Sequence, residues 1–252
     1  NDTYEGEVVD GLGGFGVVKV TVDKIRPDKP TCVPTGGIFN NLKDVICSAE
    51  SGTTIRYTGD GVAPSNSSPG GTTPLTITIS KTQTLTVAAW DAVGNRSEAP
   101  DNSYPFLVDA VPPLVGADNK SSSWFTSRQT TLSVSDAGGS GLAQARYSWD
   151  ASLPADCASG GAIFADGKIL TVSEGSHQLY LCARDGAGNF NIWDSGPDQY
   201  RVDQTAPTIT ALTINNQSSP AILSVNSPMT IAWTYTETGG SGFQKSEIWR
   251  AQ

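Results

Sequence analysis

Asp185-Gly186-Ala187-Gly188-Asn189 closes the alternating run Leu179-Tyr180-Leu181-Cys182-Ala183-Arg184 and turns the chain back. Nearly the same phrase stands at Asp91-Ala92-Val93-Gly94-Asn95, behind Leu85-Thr86-Val87-Ala88-Ala89-Trp90. A degraded copy, Asp10-Gly11-Leu12-Gly13-Gly14, follows Tyr4-Glu5-Gly6-Glu7-Val8-Val9. A dozen or more residues after each copy comes a second phrase: Val22-Asp23, Val108-Asp109 and Val202-Asp203. Pro27, Pro112 and Pro207 follow in turn. A recurring turn and a recurring linker therefore punctuate the chain, and such a repeat decides the fold before any local reading does.

The copies lie 81 residues apart (Asp10 to Asp91) and 94 apart (Asp91 to Asp185). That spacing suits an immunoglobulin-like sandwich of roughly 100 residues and is too long for a small solenoid unit. The 252 residues include 27 glycines and 15 prolines, a composition that favours many short strands joined by turns. No stretch shows an apolar stripe at helical spacing. The expected fold is all-β: tandem immunoglobulin-like β-sandwiches, two complete and two partial. Residues 1–25 read as the C-terminal strands of a preceding domain, 26–110 and 111–203 as complete sandwiches, and 204–252 as the N-terminal part of a further one. In that last piece Ile209 to Ile214 and Met229 to Tyr235 read as strands, and Glu247-Ile248-Trp249 opens a third.

The net charge is −9. It argues against nucleic acid and against anionic membrane surfaces, both of which select basic patches. No apolar run is long enough to span a bilayer, so no membrane insertion is expected in this segment. The four cysteines, Cys32, Cys47, Cys157 and Cys182, fall two to each complete repeat, with no CxxC pair to suggest zinc. They read as one disulfide per domain, which implies an oxidising compartment and an extracellular or cell-surface location. With Leu179, Leu181 and Ala183 turned inward, Cys182 points outward, and a Cys157–Cys182 bridge would pin a long loop on the outer face of its sheet. The chain is expected to be a stretch of a larger exported protein.

Two segments resemble known families. Gly52-Thr53-Thr54-Ile55-Arg56-Tyr57-Thr58-Gly59-Asp60-Gly61-Val62-Ala63-Pro64 is similar to the signature of the chitobiase/hexosaminidase C-terminal module. That resemblance covers most of 26–110. It implies an immunoglobulin-like sandwich used as an accessory module in secreted bacterial proteins. Residues 111–203 carry Asp136-Ala137-Gly138-Gly139-Ser140-Gly141-Leu142, Tyr147-Ser148-Trp149-Asp150, Glu174-Gly175-Ser176-His177 and the turn at Asp185, in that order. The order resembles bacterial immunoglobulin-like repeats of large surface proteins, including the OmpL47-type repeat.

Few residues stand out as sites. The Asp-x-x-Gly-Asn phrase reads first as turn architecture, with Asp accepting N–H groups and Gly and Asn tolerating positive φ. Its second reading is a calcium site built from Asp91, Asp109, Asp185 and Asp203, with Asp10 and Asp23 in the degraded copy; hard cations need several such oxygens. No other cofactor is expected. His177, the one histidine, lacks a nucleophile elbow or a zinc motif around it and reads as structural. Trp90 is the ligand-binding candidate, because alternation places it on the outer face, where a ring can stack on a sugar.

No enzyme activity is expected. The expected function is a structural or adhesive stalk, adhesin shaft or filament segment of a bacterial surface protein. Its alternative is an accessory, carbohydrate-binding module of a secreted carbohydrate-active enzyme. The expected partners are neighbouring immunoglobulin-like domains, in the same parent chain or in adjacent subunits by strand addition, together with a cell-surface or glycan ligand.

Overall fold

The structure, a computed structural model, describes residues 1–218, 228–247 and 249. It is all-β, with no helix among the described residues. The chain divides into two compact units. The first holds residues 1–112 together with the turns 137–141 and 185–189, and the second holds the remainder.

The first unit begins with a hairpin of β1 (Asp2–Val9) and β2 (Phe15–Val22), paired from Asp2↔Val22 to Val9↔Phe15. A sandwich follows. Its smaller sheet has the order β3 (Thr31–Val33), β5 (Lys43–Ser48), β8 (Leu75–Ile79). Its larger sheet has the order β4 (Gly37–Phe39), β10 (Asn102–Val108), β9 (Gln83–Trp90), β6 (Thr54–Thr58), β7 (Gly70–Thr72). Alternation decides what each sheet buries. Val45, Ile77 and Ile79 from one sheet meet Ile55, Leu85 and Val87 from the other in a single core. The β3–β5 register sets Cys32 opposite Cys47, and these two form the first disulfide within one sheet, on its core side.

In the second unit, β11 (Leu114–Ala117), β13 (Gln129–Ser135) and β16 (Lys168–Thr171) form one sheet, in that order. A second sheet runs β15 (Ala162–Ile163), β14 (Leu142–Trp149), β18 (Leu179–Asp185), β19 (Phe190–Asp194). A small sheet joins β12 (Trp124–Phe125), β20 (Tyr200–Val202) and β17 (Gly175–His177). Leu132, Val134 and Leu170 share a core with Leu179, Leu181 and Ala183. Cys182 lies outside that core yet is fully buried, because its bridge to Cys157 draws the loop over the outer face of β18. Both cysteine pairs thus form within their own repeats, and the second sits on the face that alternation assigns it.

The chain ends in a three-stranded sheet with the order β22 (Gln217–Ser218), β21 (Thr208–Ile214), β23 (Ile231–Thr236). Glu247 and Trp249 are not in a strand, and Ile248 lies outside the described residues. The third strand expected there is therefore not seen at the residues described.

Candidate functional site

The recurring turn is one half of a clasp whose other half is the recurring linker. In the turn after β9, Asp91 Oδ1 accepts the N–H groups of Val93 at 3.0 Å and Asn95 at 2.8 Å, while Oδ2 accepts the Asn95 amide at 2.7 Å. The same Asn95 amide reaches the carbonyl oxygen of linker residue Asp23 at 3.1 Å. In the turn after β18, Asn189 repeats this: its amide donates to Asp185 Oδ2 at 2.7 Å and to the Asp109 carbonyl at 2.7 Å. The Asp-to-Asn spacing of four residues is what sets the amide beside its own Asp and leaves a donor free for the linker.

A second grip holds the linker carboxylate. Asp109 Oδ1 accepts Val111 N–H at 3.0 Å, and Oδ2 accepts Ser140 N–H at 2.9 Å as well as the Ser140 hydroxyl. Asp203 copies the pattern: Oδ1 accepts Thr205 N–H at 3.0 Å, and Oδ2 accepts Ser241 N–H at 2.9 Å and its hydroxyl. Approach this close requires glycine nearby. A Cβ on Gly138 would stand 2.2 Å from Asp109 Oδ1, and one on Gly239 would stand 2.1 Å from Asp203 Oδ1.

These donors fix the charge state. The Ser140 hydroxyl and N–H, helped by Val111 N–H, hold the Asp109 carboxyl below its ordinary value. Ser241 does the same for Asp203. Burial opposes ionisation of Asp91, but the Asn95 amide and the N–H groups of Asn95, Val93 and Gly94 outweigh it. Donors to the charged form always act in this direction.

The four aspartates expected as calcium candidates divide by place. Carboxylate oxygens of Asp109 and Asp185 lie within 4.8 Å of one another, whereas Asp91 and Asp203 each belong to a separate grip. Both oxygens of Asp91, Asp109 and Asp203 accept hydrogen bonds from the chain itself. Those hydrogen bonds serve the turn and the linker. What the sequence reading missed is the partner role of Asn95, Asn189, Ser140 and Ser241 toward the linker. The signal was present in the recurrence of Gly-Gly-Ser-Gly at 138–141 and 239–242, but spacing alone does not say which distant carboxylate such a turn receives.

His177 gathers a triad-like set of atoms. Its Nδ1 lies 2.7 Å from Asp150 Oδ2, and its Nε2 lies 3.0 Å from Ser173 Oγ. Nε2 also faces the Glu174 carbonyl oxygen at 3.1 Å. The carbonyl only accepts, so the contact at 3.1 Å is a hydrogen bond when Nε2 carries the proton. Burial disfavours the charged ring, yet Asp150 and the Glu174 carbonyl raise its pKa above the ordinary histidine value. The imidazole packs edge-on against Trp149, 5.9 Å between centroids, and Trp149 in turn meets Tyr200 at 5.3 Å. The ring is thus held on three sides, by Asp150, by the Glu174 carbonyl and by Trp149.

Trp90 corrects an expectation. It does point outward from β9, but it is only 7% exposed, since the strand bridges to Arg96 and the guanidinium covers the ring at 5.3 Å. A covered ring offers no stacking face to a sugar.

The family profile of the chitobiase/beta-hexosaminidase C-terminal domain matches residues 34–100, which lie within the first sandwich. No curated protein matches the chain. A solved structure of Clostridium thermocellum CbhA fibronectin(III)-like modules is similar at 15% identity, over 69% of this chain and 90% of that chain, with a TM-score of 0.30. Paired disulfides are typical of extracytoplasmic proteins. Residues 34–100 are thus an immunoglobulin-like module resembling the chitobiase C-terminal domain.

Proposed function

We propose that this chain is a semi-rigid, non-catalytic spacer, a stalk or shaft segment of an exported surface protein. The observation that carries the reading is the clasp. Asn95 holds the Asp23 carbonyl, Asn189 holds the Asp109 carbonyl, and serines hold the Asp109 and Asp203 carboxylates. A linker whose backbone and carboxylate are both hydrogen-bonded gives up conformational freedom, and adjacent prolines remove more. A spacer has use for that stiffness, whereas a flexible tether between a catalytic domain and its substrate does not.

The test is small-angle scattering on the double variant Asp109→Ala, Asn189→Ala. It should show a broader distribution of overall dimensions than the parent, with the thermal unfolding of the sandwich cores little changed. Identical scattering would remove the spacer reading.

A second reading has one observation in its favour, the profile match over residues 34–100. On it, the chain is an accessory module of a secreted carbohydrate-active enzyme. A glycan array probed with the parent chain separates the two. Specific binding supports the accessory reading, and a blank array removes its carbohydrate-binding form.

A further inference from the structure

The sheet of β15, β14, β18 and β19 carries a cavity of about 260 Å³ on the side away from the core. Alternation sets its floor. Leu179, Leu181 and Ala183 turn into the core, so Tyr180 turns outward, and its direct partner Asp194 shares that face. Ile192, paired with Cys182, lies there too and is 59% exposed. Ser152 and Leu153, from the loop after β14, form a wall, and Trp193 completes the lining.

That wall is fixed from three directions. Cys182, two residues after Tyr180 on the same face, ties the loop down through Cys157. The Arg146 guanidinium donates to the Gly160 carbonyl at 2.9 Å. Leu153 lies against Gly161, where a Cβ would stand 2.8 Å from its Cδ2. A cavity formed before its guest arrives spares the ordering cost of binding. Its polar groups are open to a guest. Asp194 Oδ1 accepts the Gly196 N–H at 2.7 Å, but among the described residues nothing bonds to its Oδ2, to the Tyr180 hydroxyl or to the Ser152 hydroxyl.

Charge and shape narrow the guest. A wholly apolar one would take water from the Asp194 carboxylate and replace none of its hydrogen bonds. An anion would be repelled by that carboxylate. A cation would meet the Lys120 ammonium, which stands 5.9 Å from the centre of the Trp193 ring. A neutral ring with C–H groups on one face and hydroxyls around its edge meets every condition. Its face lies on Tyr180, Ile192 and Leu153, one hydroxyl donates to Asp194, and others bond with the Tyr180 and Ser152 hydroxyls. We infer that this cavity binds one neutral pyranose ring of a glycan. A single ring of about a dozen non-hydrogen atoms binds weakly, on the order of millimolar. The site lies outside residues 34–100, so the inference rests neither on the profile match nor on the spacer reading.

The test is an NMR titration of the full chain with the methyl glycosides of glucose, galactose, mannose and N-acetylglucosamine, each to about 50 mM, well above a millimolar constant. At least one should shift the amides of residues 152–153, 180 and 192–194 to saturation. Tyr180→Ala should abolish those shifts, and Asp194→Asn should weaken binding about tenfold, the scale of one hydrogen bond to a charged group. Should Tyr180→Ala disturb the sheet, Ile192→Lys, at an exposed position, takes its place. Choline and inorganic phosphate, as cationic and anionic probes, should leave the same amides unmoved. The inference is overturned if no glycoside gives a saturable shift, if choline or phosphate binds there more tightly than every glycoside, or if the folded Tyr180→Ala or Ile192→Lys variant titrates like the parent. Shifts confined to residues 34–100 would also overturn it, while leaving the accessory-module reading standing.

Discussion

At the scale of residues, the chain spends its polar side chains on holding loops. The Gly138 position shows how little room that leaves. Gly138→Ala would press a methyl group into the Asp109 carboxylate and should cost about 1–3 kcal/mol, the usual range for overpacking. Gly139→Ala meets only the end of Leu107 at 4.0 Å and should be close to neutral; urea titration of the two variants checks both outcomes. His177 gives a second prediction. Its raised pKa means that the folded state binds the proton more tightly than the unfolded one. The stabilisation is fully present below the unfolded value near 6.5 and fades as pH rises through the raised folded value. His177→Gln should therefore lose more stability at about pH 5 than at about pH 8. An equal loss at both would mean that the imidazole acts through packing on Trp149 alone. The aspartate clasps run the other way. The lowered pKa of Asp109 and Asp203 keeps their contribution above the ordinary carboxylate range and releases it as pH falls through the folded values.

At the scale of elements, β18 shows how one strand serves two faces. Leu179, Leu181 and Ala183 fill the core, while Cys182 fastens the loop around Cys157 to the outside. The bridge spans 25 residues, and a loop of that size is worth about 3 kcal/mol when closed. Cys157→Ser with Cys182→Ser should lower the melting temperature and make the loop cleavable by protease, with the β13–β16 pairing intact by hydrogen exchange. A protease-resistant loop in that variant would show that Tyr147, Phe164 and their neighbours hold it unaided. The strong strands β5, β6, β8, β9, β13 and β18 were legible from alternation and β-branched content. β10 was not, because Pro105 inside it argues against a strand. The structure accommodates that proline because β4 pairs only with Phe106 to Val108, so no β4 residue stands opposite position 105.

At the scale of the whole molecule, two cores with no shared residue, one around Ile55, Leu85 and Val87 and one around Leu132, Leu179 and Leu181, make two cooperative blocks. Leu181→Ala should destabilise the second block by about 2–5 kcal/mol, the range for emptying a buried leucine site. Calorimetry should then show one transition moved down and the other unmoved. A common shift of both would mean that the cores unfold together. The net charge of −9 sets copies of such a chain to repel one another.

The sequence by itself determined the period, the all-β class, the cysteine pairing within each repeat, and which side of β18 faces the core. All of these are local: they follow from alternation along one strand or from spacing between identical phrases. Only the tertiary structure decided what the recurring Asp and Asn are for. The Asn189 amide finds the Asp109 carbonyl 80 residues away, and Ser140 finds the same residue's carboxylate 31 residues away, neither of which spacing announces. It likewise decided that Trp90 is covered, since the cover is Arg96, six residues on and across a turn. Local pattern fixes which face a side chain takes. What meets that face depends on where the rest of the chain comes to lie.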